Sequence, residues 1–300
     1  MKLIQVADSV YQLRGGSNVG LIVQDGRAVL VDSGLDRDTA RKIVRAVEGL
    51  NVRLVGVVIT HAHADHFGGA ATVRARTGAP VYAPALEAAV IANPLLEPLY
   101  LFSGAAPPAE LRHKFTLAEA CPVDGVLGIG DQVLGGVPAK ILPAYGHAPG
   151  QVMVAGEGVC FVADAVFAPD VLHKHGIPFY VDIDQTAATL AALPSLDGHY
   201  AAFVPGHGPA VPAIGPWAAE NAARLAAIRA AVAAALAEAD DLGCIVQLTA
   251  ARMGLQISSP AIYWLTQTTV LACLSALQAA GAANVAILDN RLTWKPVVGS

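Results

Sequence analysis

The stretch that most restricts this chain is LVGVVITHAHADHFGG, residues 54–69. Its first part is a nearly unbroken β-branched run, the pattern of a strand buried on both faces. Its second part crowds three imidazoles and a carboxylate, His61, His63, Asp65 and His66, into six residues. In extended chain His61 and His63 project to the same side, and Asp65 and His66 follow within one turn, able to face a second point nearby. Nitrogen and oxygen donors at this density suit a divalent metal.

Three later segments share one design, an apolar strand whose end delivers a single ligand-type residue. AKILPAYGH ends at His147, GVCFVAD ends at Asp164, and AAFVPGHG carries His207 between Gly206 and Gly208. Glycine at such places lets backbone approach a ligand closely or turn sharply. Each segment alone is weak evidence, since a lone histidine at a strand end is commonly structural.

Up to about residue 212 apolar runs alternate with Gly- and Pro-marked loops. Residues 19–23 and 28–32 flank Asp25-Gly26, a hairpin signal. Residues 36–50 have helical spacing at Ile43, Val44 and Val47. A helix is expected over 69–77, with strands near 80–83, 139–143, 152–155, 159–163 and 201–204. The composition changes around Pro212–Pro216. Beyond it an Ala-rich helix from Trp217 to Ala239, a shorter one near 246–253, a long one from Pro260 to about Ala280, and a strand–turn–strand suggest a winged-helix-like arrangement. The expected domains are therefore 1–212 and 217–300.

Taken together, HxHxDH followed by His, Asp and His resembles the metallo-β-lactamase superfamily, over roughly residues 1–212. VDSG at 31–34 adds Asp32 where the family has a structural aspartate. The resemblance implies an α+β fold, a four-layer αββα sandwich with the metal site at one edge of two sheets. It implies that His61, His63 and His147 hold one metal, that Asp65, His66 and His207 hold a second, and that Asp164 bridges them. The cofactors expected are two divalent metal ions, zinc as first choice, with iron and manganese as alternatives. Two such ions can share a water and hold it as hydroxide at neutral pH. The implied activity is hydrolysis of an ester, thioester or lactone, with Asp65 orienting the nucleophile or carrying a proton.

Departures narrow the choice. Secreted class B β-lactamases commonly have cysteine where this chain has Asp164, and carry an export signal that MKLIQVADSV does not resemble. Acyl-homoserine lactonases of the fold place a tyrosine where Phe167 stands. An iron-dependent persulfide dioxygenase of the same fold, using fewer ligands, is the rival enzyme; a non-catalytic ligand-sensing module is the rival outside catalysis.

Partners follow from charge. The formal net charge is −5 and charged residues make up 14% of the chain, so no cationic field would attract nucleic acid or anionic lipid. No Lys or Arg falls between Pro260 and Ala280, where a winged helix would meet DNA phosphates. Residues Met253–Leu288 carry no charge at all but are interrupted by Pro260, Gly254 and Gly281, and read as a buried or dimer-forming segment, not a membrane span. Cys121, Cys160, Cys244 and Cys273 lie far apart and read as reduced thiols of a cytoplasmic protein. For a small, rather apolar substrate, Tyr100 and Phe102 in the long 84–117 segment and His175 and Tyr180 after Asp164 are the candidate contacts.

Overall fold

The computed structural model describes residues 1–297. Strands β1 (Lys2–Ala7), β2 (Val10–Arg14), β3 (Val19–Gln24), β4 (Arg27–Val31), β5 (Arg53–Val58), β6 (Val81–Ala83) and β7 (Gly125–Val126) form one sheet in sequence order. Strands β8 (Gly130–Leu134), β9 (Val137–Pro143), β10 (Val152–Gly156), β11 (Val159–Ala163) and β12 (Ala202–Pro205) form a second, ordered β12-β11-β10-β9-β8. The first sheet is antiparallel to β4 and parallel from β4 to β7. Asp25 and Gly26, both at positive φ (47° and 72°), make the tight turn between β3 and β4.

Strand alternation sorts the core into layers. Ile22, Val29, Val31 and Val58 face Ile141, Val152, Val154 and Phe161 between the sheets. Leu21, Leu30, Val57 and Ile59 point outward, against α1 (Arg37–Gly49) and its Ile43, Val44 and Val47. Asp36 caps α1 by accepting from the Thr39 N–H. Two short helices, α2 (Ala64–Phe67) and α3 (Ala70–Thr77), follow β5, and α4 (Ala85–Ala92) and α5 (Leu96–Leu101) follow β6.

The outer face of the second sheet is covered after β11 by α6 (Pro169–His175), α7 (Ile183–Ala192), α8 (Gly215–Leu236), α9 (Leu242–Arg252) and α10 (Pro260–Ala279). The hairpin β13 (Ala283–Leu288)–β14 (Arg291–Pro296) ends the described chain. The result is an α+β sandwich of two sheets between helical layers. One apolar cluster joins Cys160, Val162 and Phe203 of the sheet to Ile228, Val232, Val270 and Leu274 of the late helices, so packing runs across residues 212–217 without a break. Among the described residues α10 is the one helix long and apolar enough to cross a membrane. Here it packs against α7, α8 and α9.

Candidate metal centre

Four strands deliver the site. β9 and β11 each pair antiparallel with β10, and β11 runs parallel to β12, so all three end at the same edge of the second sheet. His147, Asp164 and His207 follow these ends, and His61–His66 follow β5 in the facing sheet. The β11–β12 ladder shifts register between Phe161 and Ala163, and Ala163 takes φ +48°. That irregularity re-aims the chain where Asp164 must turn into the site, a common use of a bulge. Gly206 lets the neighbouring backbone come equally close: a Cβ there would collide with Asp164 Oδ1 and sit 2.9 Å from the His66 ring.

All seven residues singled out in the sequence converge. Donor atoms of His61, His63 and His147 lie within 4.8 Å of one another, as do those of His61, His66 and Asp164, and those of Asp65, His66 and His207. Asp164 stands between the two outer groups, its oxygens 3.5 Å from His66 Nε2, 3.5 Å from His147 Nε2 and 3.6 Å from His207 Nε2.

Four of the five imidazoles are turned by a partner behind them. His66 Nδ1–H donates to Asp32 Oδ2 at 2.8 Å, and His61 Nδ1–H to Thr60 Oγ1 at 3.1 Å. The Thr60 hydroxyl in turn donates to Asp32 at 3.0 Å. His147 Nδ1–H donates to the Phe179 carbonyl at 2.8 Å and His207 Nδ1–H to the Gly16 carbonyl at 2.7 Å. The Nε2 atoms of these four are thereby left facing inward, while His63 presents Nδ1, 2.9 Å from His147 Nε2. Fixing a tautomer through the far nitrogen is how proteins prepare histidine for a metal.

Three of the inward atoms, His61 Nε2, His66 Nε2 and Asp164 Oδ1, are buried with no hydrogen-bond partner among the described residues. Buried polar atoms are ordinarily satisfied, and a lone pair on nitrogen beside a carboxylate oxygen calls for a cation. The donor set fits divalent metal ions.

Without ions the two groups differ electrically. Burial pushes the His61 and His147 imidazoles down and brings His63 to about 3, so these three are neutral at neutral pH. Burial also opposes charge on His66 and His207, but Asp65 and Asp164 outweigh it, helped at His66 by Asp32, and hold the rings at about 9 and about 11. Burial likewise opposes ionisation of Asp65, and His66 and His207 overcome it, bringing the carboxyl to about 2.

A cavity of about 660 Å³ opens beside His63 and Ala62, walled by Leu86, Val90, Leu96, Leu99 and Tyr100 of the α4–α5 segment. Glu87 ties that segment to the site. Its Oε2 accepts from the Ala62 N–H and its Oε1 from the Gly150 N–H, both at 2.7 Å, so one carboxyl straps the HxHxDH loop to the loop after His147. Burial, with Asp65 and Glu87 adding to it, pushes the neighbouring Glu97 carboxyl well above the usual range.

Of the four expected substrate contacts, Tyr100 lines the cavity. Phe102 does not: it packs edge-on against Trp264 of α10, with ring centroids 5.4 Å apart. Tyr180 is also a correction, because it is 2% exposed within the core under α10. Its neighbour Phe179 does face the histidines, 5.3 Å from His63, and Phe167 stands edge-on to His147 at 5.6 Å. His175 is exposed on the last turn of α6, outside the cavity lining. Sequence reasoning missed Glu87, the Phe179 carbonyl and the Gly16–Asn18 turn. In that turn Ser17 donates to the Asp65 carbonyl, and Asn18 donates to the carbonyls of Pro205 and Gly208. GGSN before a strand was the visible signal for the last of these.

The profile of the metallo-β-lactamase superfamily matches residues 13–234, most of the chain and all seven of these positions. The chain belongs to that superfamily. A hydroxyacylglutathione hydrolase of Anaeromyxobacter dehalogenans is 30% identical to this superfamily member over 224 residues, 72% of this chain and 73% of the relative. Another from Albidiferax ferrireducens is 39% identical over 83 residues, which span only 29% of that relative's length. Among solved structures, a β-lactamase domain protein from Burkholderia ambifaria superposes with a TM-score of 0.77 at 20% identity, covering 99% of this chain and 94% of its own. A metallo-β-lactamase family protein from Thermus thermophilus gives 0.74 at 18%, covering 97% and 100%. At those identities the likeness is one of fold.

Proposed function

We propose that this superfamily member hydrolyses an ester, thioester or lactone of a small, rather apolar substrate at a pair of divalent metal ions. That it is a metal-dependent hydrolase follows from the family and from the relative that aligns over most of both chains. The finer reading rests on one observation: three overlapping donor groups meet beside an apolar cavity. His61, His63 and His147 would hold one ion, Asp65, His66 and His207 the other, with Asp164 shared between them. Zinc suits this donor set, and iron and manganese are the alternatives. When bound, such a pair supplies a water acidic enough to act as nucleophile at neutral pH and a Lewis acid for the carbonyl oxygen.

The chain's own residues do the rest. Leu86, Val90, Leu96 and Leu99 offer an apolar substrate a dry wall beside His63. Asp65, 28% exposed and 3.3 Å from His207 Nε2, is placed to accept a hydrogen bond from the attacking water and to receive its proton. Glu87 keeps the two histidine-bearing loops in register with the cavity wall.

Metal analysis of the isolated protein, followed by thioester, lactone, phosphodiester and β-lactam substrates, tests the reading. The expected result is two metal ions per chain and cleavage of a thioester, ester or lactone. Asp164→Ala should lower kcat/KM by roughly three orders of magnitude, about 4 kcal/mol of barrier, with loss of bound metal and retention of the fold. One iron per chain with oxygen uptake on a persulfide would overturn it.

A further inference from the structure

Helix α10 lies wholly beyond residue 234, where the superfamily match ends. Its three neighbouring threonines behave differently. Thr266 and Thr268 donate their hydroxyls to carbonyls one turn back, Ile262 at 2.8 Å and Trp264 at 3.0 Å, the usual habit of threonine inside a helix. Thr269 is fully buried and turns away from its own helix. Its Oγ1–H donates to the Pro178 carbonyl at 3.0 Å, and the same oxygen accepts the Tyr180 N–H at 2.9 Å.

Those two bonds grip the chain on either side of Phe179. The Phe179 carbonyl accepts from His147 Nδ1, and its ring stands edge-on to His63 and His147 at 5.3 and 5.9 Å. Just downstream, the Val181 and Asp182 amides both donate to the Gly146 carbonyl, one residue before His147. Residues 178–182 are thus held by α10 on one side and hold the His147 loop on the other.

We propose that Thr269 is a positioning residue for the metal centre, fixing the Phe179 carbonyl so that His147 keeps its proton on Nδ1 and turns Nε2 to the ion shared with His61 and His63. The C-terminal helix is in this sense a working part of the site. The inference rests on the metal reading above, and its test separates the two.

Thr269→Val keeps the side chain's shape and removes both bonds; Thr269→Ser keeps the hydroxyl and removes the methyl. Thr266→Val is the control, on the same helix without a link to Phe179. The measurements are zinc affinity of the metal-stripped full chain by chelator competition, and the His147 tautomer by long-range imidazole NMR. Loss of an outer partner of a ligating histidine typically weakens metal binding by about 10–100-fold. The tightest zinc site should weaken by about tenfold in Thr269→Val, with the His147 Nδ1 proton no longer protected. Thr269→Ser and Thr266→Val should bind as wild type does, and with substrate kcat should fall more than KM rises in Thr269→Val.

Wild-type zinc affinity in Thr269→Val, equal loss in Thr269→Ser, or equal loss in Thr266→Val would each overturn the proposal. Should Thr269→Val not fold, Thr269→Ala replaces it with the same outcomes. A wild-type chain that binds neither zinc, iron nor manganese would overturn the metal reading as well, whereas zinc binding untouched by Thr269→Val would overturn the positioning role alone.

Discussion

The two halves of the proposed metal centre are built from similar residues on opposite electrical plans. His61 is backed by a hydroxyl and His147 by a carbonyl, and His63 meets an aromatic edge, all without charge. Burial therefore dominates, and the three rings stand neutral with lone pairs ready. His66 and His207 sit among Asp32, Asp65 and Asp164, and carboxylates at 2.8–3.8 Å outweigh the same burial. One half is prepared for a cation by removing water, the other by supplying negative charge. The first should take up metal with little regard to pH, whereas the second must exchange protons for it.

The harshest way to break this contrast is Gly206→Ala. Its Cβ would collide with Asp164 Oδ1 and meet the His66 ring at 2.9 Å, disturbing the shared carboxylate and the second half together. Both ions and all activity should be lost, and overpacking should cost about 1–3 kcal/mol of metal-free stability in a denaturant titration. Full metal content in that variant would show that Asp164 is not the shared group.

Asp32→Asn acts more selectively. Asn tolerates the left-handed φ of +63° that Asp32 adopts, but it brings no charge to His66 and loses one acceptor. Binding at the second half should weaken by about 10–100-fold. The first half, reached only through Thr60, should change less. Equal losses at both, read by chelator competition, would erase the distinction.

The smallest effect is the pH slope. In the metal-free chain His66 and His207 hold protons up to about 9 and about 11, so zinc entering there should release up to two protons and bind more tightly as pH rises from 6 to 8. Binding at the His61, His63 and His147 group should stay nearly flat over that range, since its rings are already neutral. The linked sign for stability is that these raised histidines stabilise the metal-free fold below the ordinary histidine value of 6.5. That contribution disappears as pH climbs through about 9 and then about 11. Calorimetry in buffers of different ionisation enthalpy counts the protons.

Much of the site was legible because its residues announce themselves. Imidazoles two and five apart after a β-branched strand, and single His or Asp residues ending apolar runs, carry their chemistry in the side chain. The central strands were legible from their apolar runs, and the late helices from an Ala-rich stretch free of Gly and Pro and from Pro260 and Gly281 at the ends of the last one. Strands β1, β2, β7 and β8 and helices α4 to α7 were not, because they lack an unbroken apolar run or a clear start and stop signal. Phe102 and Tyr180 misled because an aromatic residue in a loop near a site reads alike whether it meets substrate or core. Glu87 looked like one more helix charge, and only folding places its two oxygens on the amides of Ala62 and Gly150.

By itself the sequence marked the candidate donor set, the strands that carry it and the layered class of fold, because ligand chemistry and apolar runs are local properties of the chain. What only the tertiary structure decided is how each donor is aimed and charged. His147 takes its tautomer from a carbonyl 32 residues away, held by a threonine 122 residues away, and His66 keeps its proton because carboxylates in three separate segments stabilise its charge. Backbone groups are the same in every residue and electrostatic fields add over space, so neither leaves a mark in the order of the letters.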